Sequence, residues 1–527
     1  MSYDFIVVGS GSAGAIVATR LSEDPGTSVL LIESGPMYEN MENLPPHIIG
    51  NPKNTFATKN WWSTNPKEGR MFVARANDHQ APMLVPRGNT LGGSSSVNAQ
   101  IFLRGEADDY DSWAAMGNEE WDFKSCLPYF AKLENDLDYS GDFHGTSGPV
   151  RCKRHPRDRW QKNQEAFYQG CVELGFNEVL DHNNPDSTGV GPLPFNTVDG
   201  TRQSTWLTYL RPNIDRPNLS IFPDSFVRSV NFENSRAVGV TVEKEGNIET
   251  IRGKEIILSA GAISTPQLLL LSGIGDQNDL HRLGVSTLKH LPGVGKNLRD
   301  HPLISVVWKT EKENVNDPYL TGLQVALRYT ASNSNLRNDM YIHPVSTSNP
   351  LSSYGDNNRW IHAYEDFKNH LGMTVSLYLA KSQGSLTLRS RDPKIQPYLD
   401  YNLLEDEEDL RRVREAVELC ISLGEGFTYR GITSERVKPP ENALASEKSL
   451  NSWLKKTVRT SHHVSGTCKM APESELMAVV NQHGKVHGIE SLRIADASIM
   501  PDCIRANTNV PTMMIGERMS DFIKAGC

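Results

Sequence analysis

Residues 3–14 read YDFIVVGSGSAG, a short apolar run that meets three glycines. The run at residues 3–8 is of β-strand type, and the AIVATRLSE alternation after it is typical of a helix with one buried face. Strand, glycine-rich turn and helix form the context in which GxGxxG binds a dinucleotide. Gly9 permits the tight turn, Gly11 lets the backbone approach a pyrophosphate, and Gly14 lets the helix pack closely on the strand.

The next strand-like run, SVLLIE, ends at Glu33, about 20 residues after the last glycine as the motif expects. A carboxylate there accepts both ribose hydroxyls of an adenosine and argues against a 2′-phosphate. Ser12 and Ala13 open the helix, whose free N–H groups face the phosphates. The pattern therefore favours FAD or NAD over NADP and does not separate the first two.

Composition and charge exclude several kinds of partner. A chain of 527 residues exceeds one ordinary core, so two joined domains or one large α/β unit with an insertion are expected. The net charge of −9 disfavours nucleic acid, because phosphate binding needs a concentrated Lys/Arg face. No apolar run approaches the roughly 18 to 20 residues that span a bilayer, so no membrane partner is expected.

The cysteines and the N-terminus indicate the compartment. The seven cysteines are scattered and form no CxxC pair, which is typical of reduced thiols and makes disulfides and zinc unexpected. No charged and apolar leader precedes the first strand, so the sequence predicts a cytoplasmic protein.

Four segments carry a family resemblance. They occur in the order found in the glucose-methanol-choline (GMC) family of flavin oxidoreductases, and the chain resembles that family from residue 3 to residue 523. The segments are GNTLGGSSSVNAQIFLRGEADDYDSW from Gly88, GAISTPQLLLLSGIG at 261–275, PGVGKNLRDH at 292–301, and LRIADASIMPDCIRANTNVPTMMIGERMSDFI from Leu492.

The resemblance implies an α/β fold of two parts and makes FAD the expected cofactor. A doubly wound FAD-binding domain would comprise residues 1–155, 190–302 and 455–527. A substrate-binding domain, with an antiparallel sheet backed by helices, would comprise residues 156–189 and 303–454.

The residues after His301 support the second part independently. The runs LISVVW, DMYIHPV, MTVSLYLA and GSLTLRS, separated by turn residues, predict the strands of the sheet. A helix is predicted at about 405–423, with acidic residues in its first turn and Gly424 just past its end. Cys420 lies on its apolar stripe and is expected to be a buried core thiol.

The resemblance also implies a catalytic pair. Matching HHVSGT to the family's H-x-x-G-T segment places the catalytic histidine at His463, and matching ANTNVPT places a second residue at Asn507. An imidazole can take the hydroxyl proton of an alcohol, and a carboxamide N–H can hold the developing alkoxide. A structural histidine and a turn-forming asparagine are the alternatives.

Neighbouring residues of RTSHHVSGTCKM allow other interpretations. If the segment is extended, His462 and His463 point to opposite faces and only one of them faces the flavin, although His462 could line the substrate pocket. Adjacent histidines with the distant Cys468 do not match zinc or iron spacing, and no acyl-transfer context supports a Cys-His nucleophile. No metal is expected, and Cys468 is expected to be buried without a role.

The mode of FAD attachment depends on Val97. Some family members bind FAD covalently through a histidine in the corresponding segment; valine cannot form that bond, so the chain is predicted to hold FAD non-covalently. By the same resemblance, further cofactor contacts are assigned to Gly92, Gly93, Ser94, Asn98, Val227, Asp496, Asn509, Pro511 and Thr512.

The combination SSSVN, HVSGT and NTNVPT is most similar to family members that act on aromatic and furanic primary alcohols, such as 5-hydroxymethylfurfural oxidase. A small primary alcohol with an aromatic, furan or polar head is the leading substrate class, and reduced flavin would pass its electrons to dioxygen. A dehydrogenase using a quinone or other acceptor, a non-redox hydroxynitrile lyase and an NAD-dependent dehydrogenase remain alternatives. A monomer and a homodimer are both compatible with the sequence.

Candidate pocket residues complete the predictions. His462, Trp61 and Tyr378 are assigned to the substrate pocket, with His343, Trp360, His362 and Trp62 as further candidates.

Overall fold

The structure, a computed structural model, describes residues 2–38, 41–49, 68–311, 322–346 and 369–527. Its first seven-stranded sheet is built on Ser2–Val8, the strand that leads into the glycine turn. Ser2–Val8 pairs in parallel with Val29–Ile32 on one side and with Asn247–Leu258 on the other. The order across this sheet is Leu219–Phe222, Val29–Ile32, Ser2–Val8, Asn247–Leu258, Arg236–Lys244 and Ser225–Glu233, with Leu492–Ile494 also paired to Asn247–Leu258.

The helix after the glycine turn is Gly14–Leu21, as predicted in position. The expectation of a single buried face is wrong, because every residue of this helix except Arg20 is buried. One side packs on the sheet and another on the C-terminal helix Asn509–Lys524. The C-terminal helix therefore covers the face that the sequence pattern left for solvent.

A second seven-stranded sheet, which is antiparallel, confirms the α/β architecture of two parts. Its strands run in the order Thr433–Lys438, Pro302–Thr310, His370–Leu377, Met340–Ser346, Val325–Tyr329 and Gly189–Pro192, with Arg459–Thr460 paired to Pro302–Thr310. Three of the four predicted strand runs are confirmed. The prediction that the fourth run, GSLTLRS, belongs to this sheet is wrong. In the described part of the chain, Ser385–Thr387 pairs with Tyr398–Asp400 in a separate two-stranded ribbon.

The predicted helix at 405–423 spans Glu407–Gly424 and packs on the antiparallel sheet. The side chain of Asp406 caps it by accepting the N–H groups of Glu408 and Asp409. Gly424, expected just past the end, is its last residue; a Cβ there would lie 2.4 Å from the ring of Trp308, so glycine lets the helix end close to the sheet. Cys420 is fully buried, as expected.

The remaining elements connect the two sheets. The other helices are Pro46–Ile49, Ala107–Ala115, Phe123–Leu133, Lys162–Glu173, Gly261–Leu271, Gln277–Arg282, Glu447–Thr457 and Asn509–Lys524. The small ribbons pair Gly69–Ala74 with Met83–Gly88, Thr197–Val198 with Thr201–Arg202, Ile274–Gly275 with Lys289–His290, and Val150–Arg154 with Glu134–Asp136 and Pro194–Phe195. Within the described ranges, no helix has both the length and the apolar character needed to cross a bilayer.

The division between the two sheets nearly follows the predicted domain boundaries, with two exceptions. Gly189–Pro192 belongs to the antiparallel sheet although residues 190–192 were assigned to the FAD-binding domain. Arg459–Thr460 pairs with Pro302 and Leu303 and joins the C-terminal segment to the same sheet. The domain boundaries stay a prediction.

Candidate active site

A cavity of about 470 Å³ lies where the glycine turn of the first sheet faces the second sheet. Its lining includes most of the residues predicted from the sequence to bind the cofactor or substrate. These are Gly9, Gly11, Ser12, Ala13, Glu33, Gly93, Ser94, Asn98, Val227, Asp496, Asn509, Thr512, His463, Asn507, His462 and Tyr378. The fold thus brings together segments that are separated by up to about 500 residues of sequence.

The turn at one end of the cavity is held open by glycines. A Cβ on Gly9 would lie 2.5 Å from the carbonyl oxygen of Ser259, so only glycine fits against that strand. A Cβ on Gly11 would meet no protein atom within 4 Å, because Gly11 faces the cavity. The protein packs around Gly9 and leaves space at Gly11, as a bound pyrophosphate requires.

Glu33 lies directly after the strand Val29–Ile32 and is buried. Its Oε2 accepts the backbone N–H and the hydroxyl of Ser10, at 2.9 and 2.7 Å, and its Oε1 accepts the N–H of Gly35 at 3.0 Å. Burial raises the pKa of Glu33, and these hydrogen bonds oppose that shift. Oε1 also accepts the hydroxyl of Ser34 at 3.3 Å, a long bond that a ribose hydroxyl can replace.

The C-terminal helix begins at the cavity. Asn509 is its first residue, and the Oδ1 of Asn509 accepts the hydroxyl of Ser12 at 2.7 Å, which ties the helix to the glycine turn. The Nδ2 of Asn509 is buried and has no hydrogen-bond partner among the described residues. Free N–H groups at a helix start stabilise bound anions, so this end of the cavity suits a diphosphate.

Asp496 and Asn98 are positioned by other buried groups. The Oδ2 of Asp496 accepts the N–H of Gly261 at 2.9 Å and the hydroxyl of Thr265 at 2.6 Å. Asn98 accepts the guanidinium of Arg202 through its Oδ1 at 2.7 Å. Burial lowers the pKa of Arg202 to about 9.

The predicted catalytic pair is in contact. The Nδ2 of Asn507 lies 3.0 Å from the Nε2 of His463, and both residues line the cavity. The Nδ1 of His463 lies 2.9 Å from the Nδ1 of His301, which is itself buried. Burial lowers the pKa of His463 well below 6.5, with a smaller contribution from the neighbouring His301. The imidazole is therefore neutral at neutral pH and can accept a proton.

Asp300 fixes the backbone of both histidines. Its Oδ1 accepts the N–H of His301 at 2.8 Å and the N–H of His463 at 2.9 Å, and its Oδ2 accepts the hydroxyl of Thr460. Burial raises the pKa of Asp300 to about 6. One carboxyl group thus aligns two segments that are 162 residues apart.

His462 departs from the extended geometry that the sequence suggested. Its φ is +66°, in the left-handed region, and both His462 and His463 line the cavity. The condition under which only one histidine would face the flavin, an extended segment, is therefore not met, since a left-handed residue breaks the alternation of an extended chain. The alternative, in which His462 lines the substrate pocket, agrees with its position. Burial lowers the pKa of His462 to about 3.

An aromatic wall forms the sheet side of the cavity. The rings of Tyr341 and Tyr378 stack with centroids 4.9 Å apart and planes inclined by 19°. The ring of Tyr378 also lies 4.8 Å from that of His301, and His343 lies 5.3 Å from Tyr341. Burial lowers the pKa of His343 to about 4. Apolar side chains complete this wall, namely Leu303, Val307, Leu323 and Val345.

Three predicted cofactor residues do not line the cavity, namely Gly14, Gly92 and Pro511. A Cβ on Gly14 would lie 1.9 Å from the carbonyl oxygen of Gly9, so Gly14 supports the turn by close packing, as predicted. Gly92 has a φ of +84° and precedes the 3₁₀ turn Gly93–Ser96. Pro511 lies in the first turn of the C-terminal helix, where no donor is needed. Trp61, Trp62, Trp360 and His362 lie outside the described residues.

Several residues that line the cavity or contact its lining carried no assigned role in the sequence. His301 ends the segment PGVGKNLRDH, and nothing in that segment indicates a contact with His463. Arg70, Arg87, Arg202 and Arg459 also line the cavity, which gives it a positive character suited to an anionic ligand. From the sequence alone, these isolated arginines outside any motif cannot be distinguished from arginines on the protein surface.

Other polar groups lie outside the cavity. Cys468 is fully buried, and burial raises its pKa, so the thiol is not a nucleophile at neutral pH. Glu134, Asp136 and His144 bring possible metal-ligand atoms within 4.8 Å of one another. These groups already form ion pairs, because His144 contacts Asp136 and Asp181, and Arg154 contacts both of those carboxylates. This group is an internal network of opposite charges.

The residues present fit a flavin dinucleotide. The open space at Gly11, the buried Glu33 and the helix start at Asn509 match the pyrophosphate and ribose of the dinucleotide. The Nδ2 of Asn509 and the Oδ1 of Asn507 have no hydrogen-bond partner in the described part of the chain, and they provide a donor and an acceptor for the rest of the ligand. Val97 lines the cavity with an alkyl side chain; non-covalent binding stays a prediction.

Residues 3–303 and 380–516 match two family models that both carry the description GMC oxidoreductase. The oxygen-dependent choline dehydrogenase 1 of Chromohalobacter salexigens is 33% identical over 545 residues, covering 99% of this chain and 95% of that protein. The oxygen-dependent choline dehydrogenase of Staphylococcus xylosus is 35% identical over 552 residues, with 99% and 95% covered.

Among solved structures, the pyridoxine 4-oxidase from Mesorbium loti is 25% identical and has a TM-score of 0.88, with 99% of each chain covered. With this coverage, the likeness in fold includes both sheets. The two dehydrogenases are named for choline and the solved oxidase for pyridoxine. Because these alcohols differ, the comparisons leave the substrate of this chain open.

Proposed function

The chain belongs to the GMC oxidoreductase family, and from that premise we propose that it oxidises a primary alcohol on an aromatic or furan ring to the aldehyde. It is a flavin oxidoreductase acting on CH–OH groups, with FAD as its cofactor. We further propose that the substrate is aromatic, that dioxygen is the acceptor and that the protein is cytoplasmic. The roles of individual residues and the domain boundaries are proposed in the same way.

The proposal depends above all on the contact between His463 and Asn507. The Nε2 of His463 and the Nδ2 of Asn507 lie 3.0 Å apart at the cavity, between the glycine turn and the aromatic wall. An alcohol hydroxyl placed here can replace the carboxamide at Nε2: it donates its proton to Nε2, and its oxygen accepts an N–H of the carboxamide. These are the two interactions that alcohol oxidation needs.

His463 takes the hydroxyl proton, which an unassisted alcohol does not release at neutral pH. Burial keeps the imidazole neutral, so the Nε2 lone pair, which accepts the Asn507 N–H in the free protein, can take the substrate proton once the hydroxyl occupies that place. Asn507 holds the oxygen as negative charge develops on it. Bound FAD would supply the hydride acceptor, and with dioxygen as the final oxidant the overall reaction is RCH₂OH + O₂ → RCHO + H₂O₂.

The aromatic wall supports the substrate class. The rings of Tyr341 and Tyr378 stack on each other and both line the cavity, and an aromatic substrate gains from ring contacts of this kind. Among the described lining residues, the only carboxylates are Glu33 and Asp496, and both are at the dinucleotide end. The described part of the sheet side therefore provides no countercharge for a cationic alcohol.

Choline is the second candidate, because the curated relatives at 33% and 35% identity are named oxygen-dependent choline dehydrogenases. Tyrosine faces also attract quaternary ammonium groups, so the same wall would serve a different alcohol. A dehydrogenase would perform the same chemistry with another final acceptor.

A screen of flavin bleaching tests the proposal. The purified holoenzyme is mixed anaerobically with benzyl alcohol, 5-hydroxymethylfurfural, pyridoxine or choline, and the loss of flavin absorbance is followed. Bleaching by the aromatic alcohols and not by choline supports the proposed substrate class; bleaching by choline alone overturns it.

Readmission of air then tests the acceptor. Hydrogen peroxide equal to the aldehyde formed is expected of an oxidase. Bleached flavin that reoxidises only with a quinone indicates a dehydrogenase. Cyanide release from mandelonitrile without bleaching by any alcohol would identify a lyase.

A further inference from the structure

His301 forms a chain of contacts that ends at the cavity. Its Nδ1 lies 2.9 Å from the Nδ1 of His463, and the Nε2 of His463 lies 3.0 Å from the Nδ2 of Asn507. The two imidazole rings meet nearly edge to face, with centroids 5.0 Å apart and planes inclined by 70°. His301 is 2% exposed, so solvent does not compete for its ring nitrogens.

The amide of Asn507 sets the direction of the hydrogen bonds in this chain. An amide nitrogen donates and does not accept, so the Nδ2 of Asn507 gives an N–H to the Nε2 of His463. The Nε2 of His463 is therefore the ring nitrogen without a proton.

The tautomers of both rings follow from this contact. Burial lowers the pKa of both histidines, so each ring is neutral and carries one N–H. Because the Nε2 of His463 is bare, the N–H of His463 is on Nδ1 and donates to the Nδ1 of His301. The Nδ1 of His301 is then an acceptor, and the N–H of His301 is on Nε2.

We propose that His301 is a positioning residue that fixes His463 in the tautomer whose unprotonated Nε2 faces the substrate. In the other tautomer the Nε2 of His463 would carry a proton, the ring could not accept the alcohol proton, and two lone pairs would face each other across 2.9 Å. His301 does so by accepting the Nδ1–H of His463 on the side of the ring away from Asn507. The inference rests on the proposed role of His463 as the base.

A matched pair of variants separates this role from simple packing. His301→Asn places a carboxamide oxygen near the position of Nδ1 and keeps an acceptor for His463. His301→Leu has similar bulk and no acceptor. Melting temperature and FAD content of the two holoenzymes report whether either substitution disturbs the fold.

The first readout needs no substrate. In holoenzyme labelled with ¹⁵N-histidine, NMR distinguishes protonated from bare ring nitrogens, and His463→Ala identifies the signals of His463. We expect a protonated Nδ1 and a bare Nε2 in the wild type and in His301→Asn, and a mixture of tautomers in His301→Leu. A wild-type His463 protonated at Nε2 overturns the inference even if the variants do not fold.

The second readout is the limiting rate of anaerobic flavin reduction by the best alcohol. Losing a residue that orients a functional histidine typically costs about 10- to 100-fold in activity. We therefore expect His301→Leu to lower this rate by that factor and His301→Asn to retain most of the wild-type rate. Equal rates in the two variants would show a packing role only. If His463→Ala reduces its flavin as fast as the wild type, the proposed function fails, whereas the NMR result still decides the tautomer.

Discussion

The Nδ2 of Asn507 lies 3.0 Å from the Nε2 of His463, although the two residues are 44 positions apart in sequence. The contact joins the segment that follows Arg459–Thr460 to the segment that precedes the C-terminal helix. A donor and an acceptor thus meet at one point of the cavity, where the hydroxyl of a substrate can reach both.

Asn507→Ala removes the donor for the developing alkoxide. We expect the limiting rate of flavin reduction to fall by about 10²- to 10³-fold, which is the usual effect of losing one such donor. Stopped-flow absorbance under anaerobic conditions measures it. Asn278→Ala, at an exposed position of the helix Gln277–Arg282, is the matched control and should leave the rate unchanged. A loss confined to substrate affinity would contradict the assigned role.

The pH dependence follows from the buried base. Burial lowers the pKa of His463 well below 6.5, so the ring is unprotonated above that lower value and activity is lost only as the pH falls through it. The limiting rate of flavin reduction should therefore be the same at pH 6.5 and at about pH 8. A rate at pH 6.5 that is half of the higher value would indicate an ordinary histidine.

Asp300 provides the control for this pH profile. Burial raises its pKa to about 6, and it accepts the backbone N–H groups of His301 and His463. Asp300→Asn keeps an acceptor oxygen and does not titrate. A profile that is flat in this variant and sloped in the wild type would attribute the slope to Asp300.

Two glycines of one motif should respond differently to the same substitution. A Cβ at Gly11 meets no protein atom within 4 Å and points into the cavity, so Gly11→Ala should leave the melting temperature of the apoprotein unchanged. It should weaken FAD binding by about tenfold, which corresponds to about 1.4 kcal/mol. Fluorescence titration of apoprotein with FAD measures this change.

Gly14→Ala is the counterpart. Its Cβ would lie 1.9 Å from the carbonyl oxygen of Gly9, and overpacking of this kind costs about 1–3 kcal/mol of folding free energy. We expect a lower melting temperature for the apoprotein. Equal melting temperatures for the two variants would contradict the division between a glycine that leaves space and a glycine that packs.

The aromatic wall predicts substrate selectivity. Tyr341→Leu removes one ring of the pair stacked at 4.9 Å, and such ring contacts are worth about 0.5–1.5 kcal/mol. The KM for aromatic alcohols should rise by about 2- to 10-fold, while that for a small aliphatic alcohol should not. Tyr341→Phe keeps the ring and serves as the control. An equal rise for both kinds of alcohol would remove the wall from substrate recognition.

The sequence predicts the dinucleotide end well because its determinants are local. Gly9, Gly11 and Glu33 are separated by one helix and one strand, and that unit folds in one way wherever the motif occurs. The antiparallel strands and the helix Glu407–Gly424 were likewise predicted from periodicity and capping. The run GSLTLRS has the same strand-like composition, but Ser385–Thr387 pairs with Tyr398–Asp400 and not with a strand of the large antiparallel sheet.

The catalytic contacts depend on tertiary structure, and periodicity does not reveal them. His301 and His463 meet only because the strand Pro302–Thr310 pairs with Arg459–Thr460. The position of His462 depends on its φ of +66°, an unusual value for a residue with a side chain. The family resemblance supplied His463 and Asn507, but it assigned no role to His301.

The role of His463 as the base is tested most directly by anaerobic flavin reduction in His463→Ala. The variant is compared with the wild type at equal FAD content, with the alcohol that bleaches the wild type fastest. We predict a limiting rate lower by about 100-fold or more, because the proton acceptor is removed. A variant that reduces its flavin as fast as the wild type would contradict the account.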